Sequence, residues 1–180
     1  MKKYQIIYAD PPWRYDFAET KCRKIENKYD TMDLESIKKL QIPTDKNAIL
    51  FLWGTAPKLR EAFEVMDAWG FEYKTHCIWD KELLGMGYWF RSIHELLLVG
   101  VKGKMSPPDT DHRIASIYRE RRTKHSKKPY FFRKLISEAY PEYNKLEMFS
   151  RKKNELFDES EGWDMWGNEV DSDIKLEEAK

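Results

Sequence analysis

Short apolar runs alternate with segments of helical periodicity along this chain, and this alternation constrains the fold more than any other feature. Apolar runs of strand length predict strands at residues 4–9, 48–53, 73–79, 95–101 and 145–150. Helices are predicted at residues 33–40, from Pro57 to Gly70, and from about Pro129 to Tyr140. Strands that alternate with helices predict an α/β fold with a mostly parallel sheet.

Length and composition exclude several classes of protein. The 180 residues suit one domain, and 14% aromatic residues exclude a disordered chain. No apolar run approaches the roughly 18 residues of a membrane helix, and the start turns acidic at Asp10, too soon for a signal peptide. Neither Cys22 nor Cys77 lies in a CxxC pair, and the histidines lack metal-ligand spacing, so neither a disulfide framework nor a metal site is expected. We expect a cytoplasmic protein with one domain at residues 1–170 and an acidic, flexible tail at 171–180.

Charge is segregated along the chain although the net charge is only +1. Residues 113–134 hold nine Lys or Arg and one acid, and residues 155–180 hold ten acids and two Lys. The basic segment suits either a solvated face or contacts with nucleic-acid phosphates, and composition alone favours neither. Overall neutrality therefore does not exclude a nucleic-acid partner.

The most specific motif is Asp10-Pro11-Pro12-Trp13, which directly follows the first predicted strand. Proline cannot donate to a strand ladder, so the strand ends here. One interpretation is a stiff turn with Trp13 as a core side chain. The other is an acid, rigid carbonyls and a flat ring at the carboxyl end of a strand, where open α/β sheets bind ligands.

The second interpretation suits methylation of the exocyclic amine of adenine. That nitrogen is a poor nucleophile because its lone pair is delocalised into the ring. A carboxylate and a carbonyl that accept its two hydrogens would favour a tetrahedral nitrogen with a free lone pair. Two prolines hold carbonyls in fixed directions, and an aromatic ring stacked on the base is worth roughly 1–3 kcal/mol. Positioning and electrostatics would then supply most of the rate.

An ordered series of motifs resembles one known family over roughly residues 6–170. In chain order, the motifs are Tyr8-Ala9-Asp10-Pro11-Pro12-Trp13, Tyr29-Asp30-Thr31-Met32, Leu50-Phe51-Leu52-Trp53, Ala68-Trp69-Gly70-Phe71, Trp79-Asp80-Lys81, Gly87-Tyr88-Trp89, Leu98-Val99-Gly100-Val101-Lys102-Gly103, His125-Ser126-Lys127-Lys128-Pro129, Glu147-Met148-Phe149-Ser150-Arg151 and Trp166-Gly167-Asn168-Glu169. Together they resemble the MT-A70 family of S-adenosylmethionine-dependent adenine-N6 methyltransferases. The resemblance implies a Rossmann-like methyltransferase fold in permuted order.

The resemblance also implies roles for individual residues. The implied catalytic group is Asp10, Pro11, Pro12, Trp13 and Lys81. In it, Asp10 would contact both the target amine and the donor's ammonium, and Pro11 would offer its carbonyl to that amine. Pro12 and Trp13 would complete the base pocket. The implied donor-binding group is Asp10, Lys128 on the donor carboxylate, Arg151 and Asn154 on the ribose, Asn168 and Glu169 beside the donor adenine, and Glu147 as a partner of Arg151 or the ribose. The expected substrate side is Tyr29, Trp79, Glu95, Arg119, Arg121 and Arg122.

Three functions remain open at this stage. An active adenine-N6 methyltransferase is favoured, with DNA preferred over RNA because small members without accessory domains resemble the bacterial and phage branch. A non-catalytic nucleic-acid-binding partner of the same fold is disfavoured because the Asp-Pro-Pro-Trp motif is intact. The third is a methyltransferase acting on a different amine. Residues 14–28 are expected to form a flexible lid, and a homodimer or heterodimer is left open.

Overall fold

The computed structural model describes residues 2–15, 31–123, 127–150 and 162–176. The strands are β1 (Tyr4–Ala9), β2 (Thr44–Gly54), β3 (Glu72–Asp80), β4 (His94–Lys102), β5 (Ile117–Arg119), β6 (Lys145–Met148) and β7 (Trp163–Trp166). The helices are α1 (Leu34–Lys39), α2 (Leu59–Ala68) and α3 (Tyr130–Ala139). They build one seven-stranded sheet in the order β5-β3-β4-β2-β1-β6-β7.

Most strands of the sheet run in the same direction. Strand β1 pairs in parallel with β2 and β6, β6 with β7, and β3 with β5, whereas β4 is antiparallel to both β2 and β3. The carboxyl ends of the other six strands therefore meet at one edge of the sheet, which we call the carboxyl edge. The predicted α/β fold with a mostly parallel sheet is confirmed.

Helices cover both faces of the sheet, which explains why its central strands are continuously apolar. On one face, Ile37 of α1 and Met66 of α2 pack with Leu50 and Leu52 of β2. On the other, α3 contributes to a cluster of aromatic and aliphatic side chains. Burial of each such side chain contributes about 1.5–3 kcal/mol.

Local signals fix the ends of the helices. The Asp33 carboxylate caps α1 by accepting a hydrogen bond from the Ser36 amide at 2.9 Å. Helix α2 follows a short 3-10 turn that contains Pro57, and the chain leaves it through Gly70 at φ 78°, a backbone conformation that favours glycine. No helix in the described ranges is long and apolar enough to span a membrane.

The described chain continues past residue 170 along the domain. The Asp173 amide donates to the Met165 carbonyl at 2.9 Å, and the Asp173 carboxylate accepts from the Met165 amide at 2.8 Å. Ile174 and Leu176 pack against the core. These contacts hold the first part of the predicted acidic tail against β7.

Candidate active site

The Asp10-Pro11-Pro12-Trp13 turn leaves β1 at the carboxyl edge and is held by backbone hydrogen bonds. The Trp13 amide donates to the Pro11 carbonyl at 2.8 Å, and the Met32 amide donates to the Pro12 carbonyl at 3.0 Å. The Asp10 amide faces the Met148 carbonyl of β6 at 3.5 Å. The turn therefore places the Asp10 carboxylate in a fixed position between two strand ends.

Four charged side chains meet at this edge, and we call them the four-charge cluster: Asp10, Lys128, Glu95 and Lys81. The Lys128 ammonium lies 2.6 Å from Asp10 Oδ2 and 3.3 Å from Glu95 Oε2. The Lys81 ammonium lies 3.2 Å from Glu95 Oε1. Asp10 is the most exposed of the four side chains at 26%, against 11–15% for the others. The cluster is thus mostly buried and opens to solvent at Asp10.

The cluster holds both Glu95 and Lys128 in their charged forms. Burial opposes ionisation of Glu95, but the ammonium groups of Lys128 and Lys81 outweigh it and hold the pKa of that carboxyl below its ordinary value. Burial likewise opposes the charge on Lys128, but the carboxylates of Asp10 and Glu95 raise the pKa of that ammonium above its ordinary value. A chain of alternating charges therefore runs from Lys81 to Asp10.

Trp53, at the end of β2, lies next to the cluster. The Lys128 ammonium stands 5.4 Å from the centre of the Trp53 ring, within the range of a cation–π contact. The Trp53 indole donates to the Tyr8 hydroxyl at 2.7 Å, and its carbonyl accepts from the Trp13 indole at 3.3 Å. Burial raises the pKa of the Tyr8 phenol well above its ordinary value, so this hydroxyl stays neutral. The sequence analysis did not single out Trp53, although the Leu-Phe-Leu-Trp motif contains it.

A segment with three arginines lies beside the cluster. After β5, the Glu120 amide donates to the Asp80 carbonyl at 3.2 Å, and the Arg122 amide donates to the Lys81 carbonyl at 3.1 Å. Arg119 and Arg121 are exposed, and Arg122 is half-buried. The predicted phosphate-contacting residues Arg119, Arg121 and Arg122 are therefore at the carboxyl edge, next to Lys81.

Comparison with known proteins identifies the family. Residues 4–169 match the model of the MT-A70 family. The chain belongs to the MT-A70 family. It is 35% identical to the type II methyltransferase M.MunI of Mycoplasma sp, over 98% of this chain and 81% of that protein. It is 29% identical to the human N(6)-adenosine-methyltransferase catalytic subunit METTL3, over 94% of this chain, and 28% identical to an Arabidopsis thaliana N(6)-adenosine-methyltransferase MT-A70-like protein, over 93%.

The extent of these matches differs between the relatives. The chain spans 28% of the human protein and 24% of the Arabidopsis protein. The shared part is therefore about a quarter of each of these two relatives. The chain is an S-adenosylmethionine-dependent methyltransferase that acts on the N6 amine of adenine in nucleic acid.

The charges of the MT-A70 site fit the amino-acid end of the methyl donor. S-adenosylmethionine carries an ammonium and a carboxylate on one carbon. Asp10 and Lys128 present a carboxylate and an ammonium 2.6 Å apart, with Asp10 open to solvent. Each can pair with the opposite charge of the donor, and Glu95 remains as a partner for Lys128 when Asp10 turns to the donor.

The donor's nucleoside end is expected at the ends of β6 and β7, which lie side by side. The Ser150 amide donates to the Trp166 carbonyl at 2.9 Å, and a Cβ added to Gly167 would collide with the Ser150 carbonyl oxygen. Glycine at residue 167 thus allows the two segments to touch. Asn168 and Glu169 follow directly and are exposed. Arg151, Asn154 and Tyr29 lie outside the described residues.

Two tryptophans that were predicted as site residues, Trp13 and Trp79, lie in the core of this MT-A70 domain. Trp13 is 5% exposed and Trp79 is 2% exposed. The Trp79 indole donates to the Glu120 carbonyl at 2.8 Å, which holds the arginine segment against β3. The Trp13 indole likewise donates to the Trp53 carbonyl at 3.3 Å, so each ring holds a neighbouring segment in place. Burial of the Trp13 ring agrees with the interpretation of this residue as a core side chain, and its part in a base pocket stays a prediction.

Glu147 has a partner in α3 that the sequence did not indicate. Its Oε2 lies 2.8 Å from Nη1 of Arg133 in α3, and both side chains are mostly buried. The Arg133 guanidinium also stacks over the Trp163 ring at 5.3 Å. The periodicity of α3 marks Phe132 and Ile136 as core residues but gives no signal for a buried arginine between them. Among the described residues, the acid in β6 is thus balanced by α3.

A large apolar cavity lies away from these charges. Its volume is about 950 Å³, and it opens between the sheet, α3 and the chain around residues 103–116. None of the predicted site residues lines it. We therefore locate the reaction centre from the four-charge cluster rather than from the cavity.

Proposed function

We propose that this MT-A70 enzyme methylates the N6 amine of adenine in DNA and that Asp10 is its principal catalytic residue. The observation that carries the proposal is the Asp10–Lys128 pair, which stands at the carboxyl edge of the sheet at 2.6 Å. The 35% identity to the type II methyltransferase M.MunI, over most of both chains, favours DNA over RNA. We also propose that the protein lies in the cytoplasm, because that is where the DNA of a bacterial cell is found.

Asp10 would act on the adenine amine. Its carboxylate is the most exposed charge of the cluster and can accept a hydrogen bond from N6. It can then take the proton that the nitrogen loses when the new N–C bond forms. The neighbouring Lys128 ammonium pairs with this carboxylate at 2.6 Å and holds it in place. Oriented charges of this kind commonly contribute a factor of about 10²–10³ to the rate.

Pro11 would supply the second acceptor for the amine. Its carbonyl already accepts the Trp13 amide at 2.8 Å, and a carbonyl oxygen has two lone pairs. That hydrogen bond, with the fixed φ of the two prolines, keeps the carbonyl from turning. Pro12 is held in the same way through its bond from Met32.

Lys81, Glu95 and Lys128 would support these groups. Bound S-adenosylmethionine supplies a methyl group on a sulfonium, with a neutral thioether as the leaving group. Lys128, with Asp10, would hold the donor's amino-acid end, and Asn168, Glu169, Arg151 and Asn154 its nucleoside end. Glu95 pairs with the ammonium groups of both Lys128 and Lys81, and Glu95 and Lys81 together thereby orient Lys128. Arg119, Arg121 and Arg122 would contact DNA phosphates.

A labelled-donor assay tests the proposal. Duplex DNA, single-stranded DNA and RNA of one sequence are incubated with labelled S-adenosylmethionine and digested to nucleosides. We expect N6-methyl-deoxyadenosine from DNA. Label in RNA alone, or in a nucleoside other than N6-methyladenine, would overturn the proposed substrate. RNA is included in the comparison because the human and plant relatives are named as N(6)-adenosine-methyltransferases.

A further inference from the structure

The loop between β3 and β4 exposes an unusual amount of apolar surface. Among the described residues, its side chains are the most exposed large hydrophobic ones: Leu84 at 61%, Met86 at 79%, Tyr88 at 94%, Trp89 at 94% and Phe90 at 88%. We call residues 84–90 the aromatic tip. Contiguous exposed apolar surface of this kind marks a binding surface.

The aromatic tip is built on a hydrogen-bonded base. The Lys81 amide donates to the Ile93 carbonyl at 2.8 Å, and the Gly85 amide donates to the Ser92 carbonyl at 2.6 Å. Nε of Arg91 donates to the Gly85 carbonyl at 3.1 Å. A Cβ added to Gly87 would collide with the carbonyl oxygen of Phe90, so glycine allows the chain to turn tightly at the tip. The backbone thus directs the rings outward.

The base of the loop is part of the reaction centre. Lys81 is the first residue after β3 and pairs with Glu95, which in turn pairs with Lys128. The arginine segment lies alongside, since the Arg122 amide bonds the Lys81 carbonyl at 3.1 Å. The base of the tip therefore contacts both the four-charge cluster and the arginine segment, at the carboxyl edge.

This position favours nucleic acid over a second protein as the occupant of the tip. A purely protein-binding apolar patch does not require a neighbouring row of arginines, whereas DNA offers both phosphates for Arg121 and Arg122 and flat bases for the rings. An adenine in a duplex is stacked and paired, so its amine reaches Asp10 only if the base leaves the helix. Proteins that open or kink DNA insert apolar side chains between base steps.

We propose that the aromatic tip enters duplex DNA beside the target adenine and that Trp89 stacks in the space that the extruded base leaves. This inference rests on the proposed function, because it requires DNA as the substrate. Trp89 is the largest of the exposed rings and lies at the turn of the tip. Ring stacking on the remaining bases offsets the cost of extrusion. The tip thereby gives the enzyme access to adenines in paired DNA.

The test compares three DNA substrates of one sequence: a paired duplex, a duplex with an abasic site opposite the target adenine, and the single strand. We expect W89A to lower kcat/KM on the paired duplex about ten- to hundredfold. On the other two substrates, where the base is already unpaired, the loss should be under about threefold. W89F, which keeps a ring, should recover most of the activity on the duplex. Since Trp89 is 94% exposed, W89A should fold, which circular dichroism checks.

Tyr143→Ala is the matched control, since Tyr143 is also an exposed aromatic residue but precedes β6 at the opposite edge of the sheet. It should leave all three activities unchanged. Equal losses for W89A on all three substrates, or no loss on the duplex, would overturn the inference alone. Sedimentation checks whether the tip instead binds a second copy of the chain. If the wild type were a dimer, and W89A were a monomer with equal losses on all substrates, the tip would be a dimer contact and the inference would be overturned as well. Failure of the wild type to methylate any DNA substrate would overturn the proposed function and this inference together.

Discussion

The Lys128 ammonium lies 2.6 Å from Asp10 Oδ2, although the two residues are 118 positions apart in the sequence. This ion pair joins the turn after β1 to the segment that leads into α3. Because Lys128 is mostly buried, its charged form depends on the carboxylates of Asp10 and Glu95. The geometry of the reaction centre is therefore set by the packing of α3 on the sheet.

Asp10→Asn should reduce methyl transfer without unfolding the protein. Asparagine keeps the shape of the side chain but removes the negative charge and cannot take the proton from N6. We expect kcat to fall by at least about a hundredfold. Initial rates with labelled donor measure this, and circular dichroism confirms the fold. Glu138→Gln on the exposed face of α3 is the control and should keep the wild-type rate; a D10N variant as fast as wild type would exclude Asp10 from the reaction.

Lys128→Met should weaken both donor binding and the fold. Removal of one partner from a mostly buried ion pair costs roughly 3–5 kcal/mol of unfolding free energy, because Asp10 and Glu95 then face each other without their shared cation. Calorimetric titration with S-adenosylmethionine should show at least about tenfold weaker binding. The matched control is Lys127→Met, at the adjacent exposed position. Equal effects of the two substitutions on donor binding would contradict the assigned role of Lys128.

Glu95 makes the stability of the protein sensitive to acid. Its folded pKa lies below the ordinary value of 4.5, so its contribution to stability is complete above that value and is lost as the pH falls through the folded pKa. The stability advantage of the wild type over Glu95→Gln should therefore be constant near neutral pH and shrink below about pH 4.5. Urea unfolding at a series of pH values measures it.

The control for this measurement is Glu138→Gln, which removes a carboxyl that is half-exposed and 3.7 Å from Lys134. Such a pair contributes at most about 1 kcal/mol at any pH. If E95Q showed the same pH dependence as E138Q, the four-charge cluster would not be the source of acid sensitivity.

Local sequence signals were enough to predict the fold class and the position of Asp10 at the end of a strand. The run Tyr4–Ala9 is bounded by two prolines, so its end and the position of Asp10 could be predicted. The predicted helix at residues 33–40 is confirmed as Leu34–Lys39 with Asp33 as its cap. Strands β5 and β7 were not predicted, because three or four residues are too few to show a period.

Long-range pairing could not be predicted from periodicity, which reports only neighbours along one element. The bonds of Lys128 to Glu95, of Arg133 to Glu147 and of Trp79 to Glu120 each join residues distant in sequence. The burial of Trp13 depends on the return of the chain at Met32, to which it is bridged. The resemblance to MT-A70 proteins supplied candidate roles for these residues but not their partners.

Charge reversal of Arg121 and Arg122 should weaken binding to DNA while leaving donor binding unchanged. Each phosphate contact contributes about 0.9 to the slope of log K against log salt, so R121E/R122E should reduce that slope by about 1–2 and weaken binding most at low salt. Fluorescence anisotropy with a labelled duplex at several salt concentrations measures the slope, and calorimetry with S-adenosylmethionine checks the donor site. The matched control reverses two exposed lysines at the opposite edge of the sheet, Lys3 and Lys46, and should keep the wild-type slope. If both double variants changed the slope equally, DNA binding would depend on net charge rather than on the arginine segment. An unchanged affinity of R121E/R122E for DNA would show that the segment is not part of the DNA-binding surface.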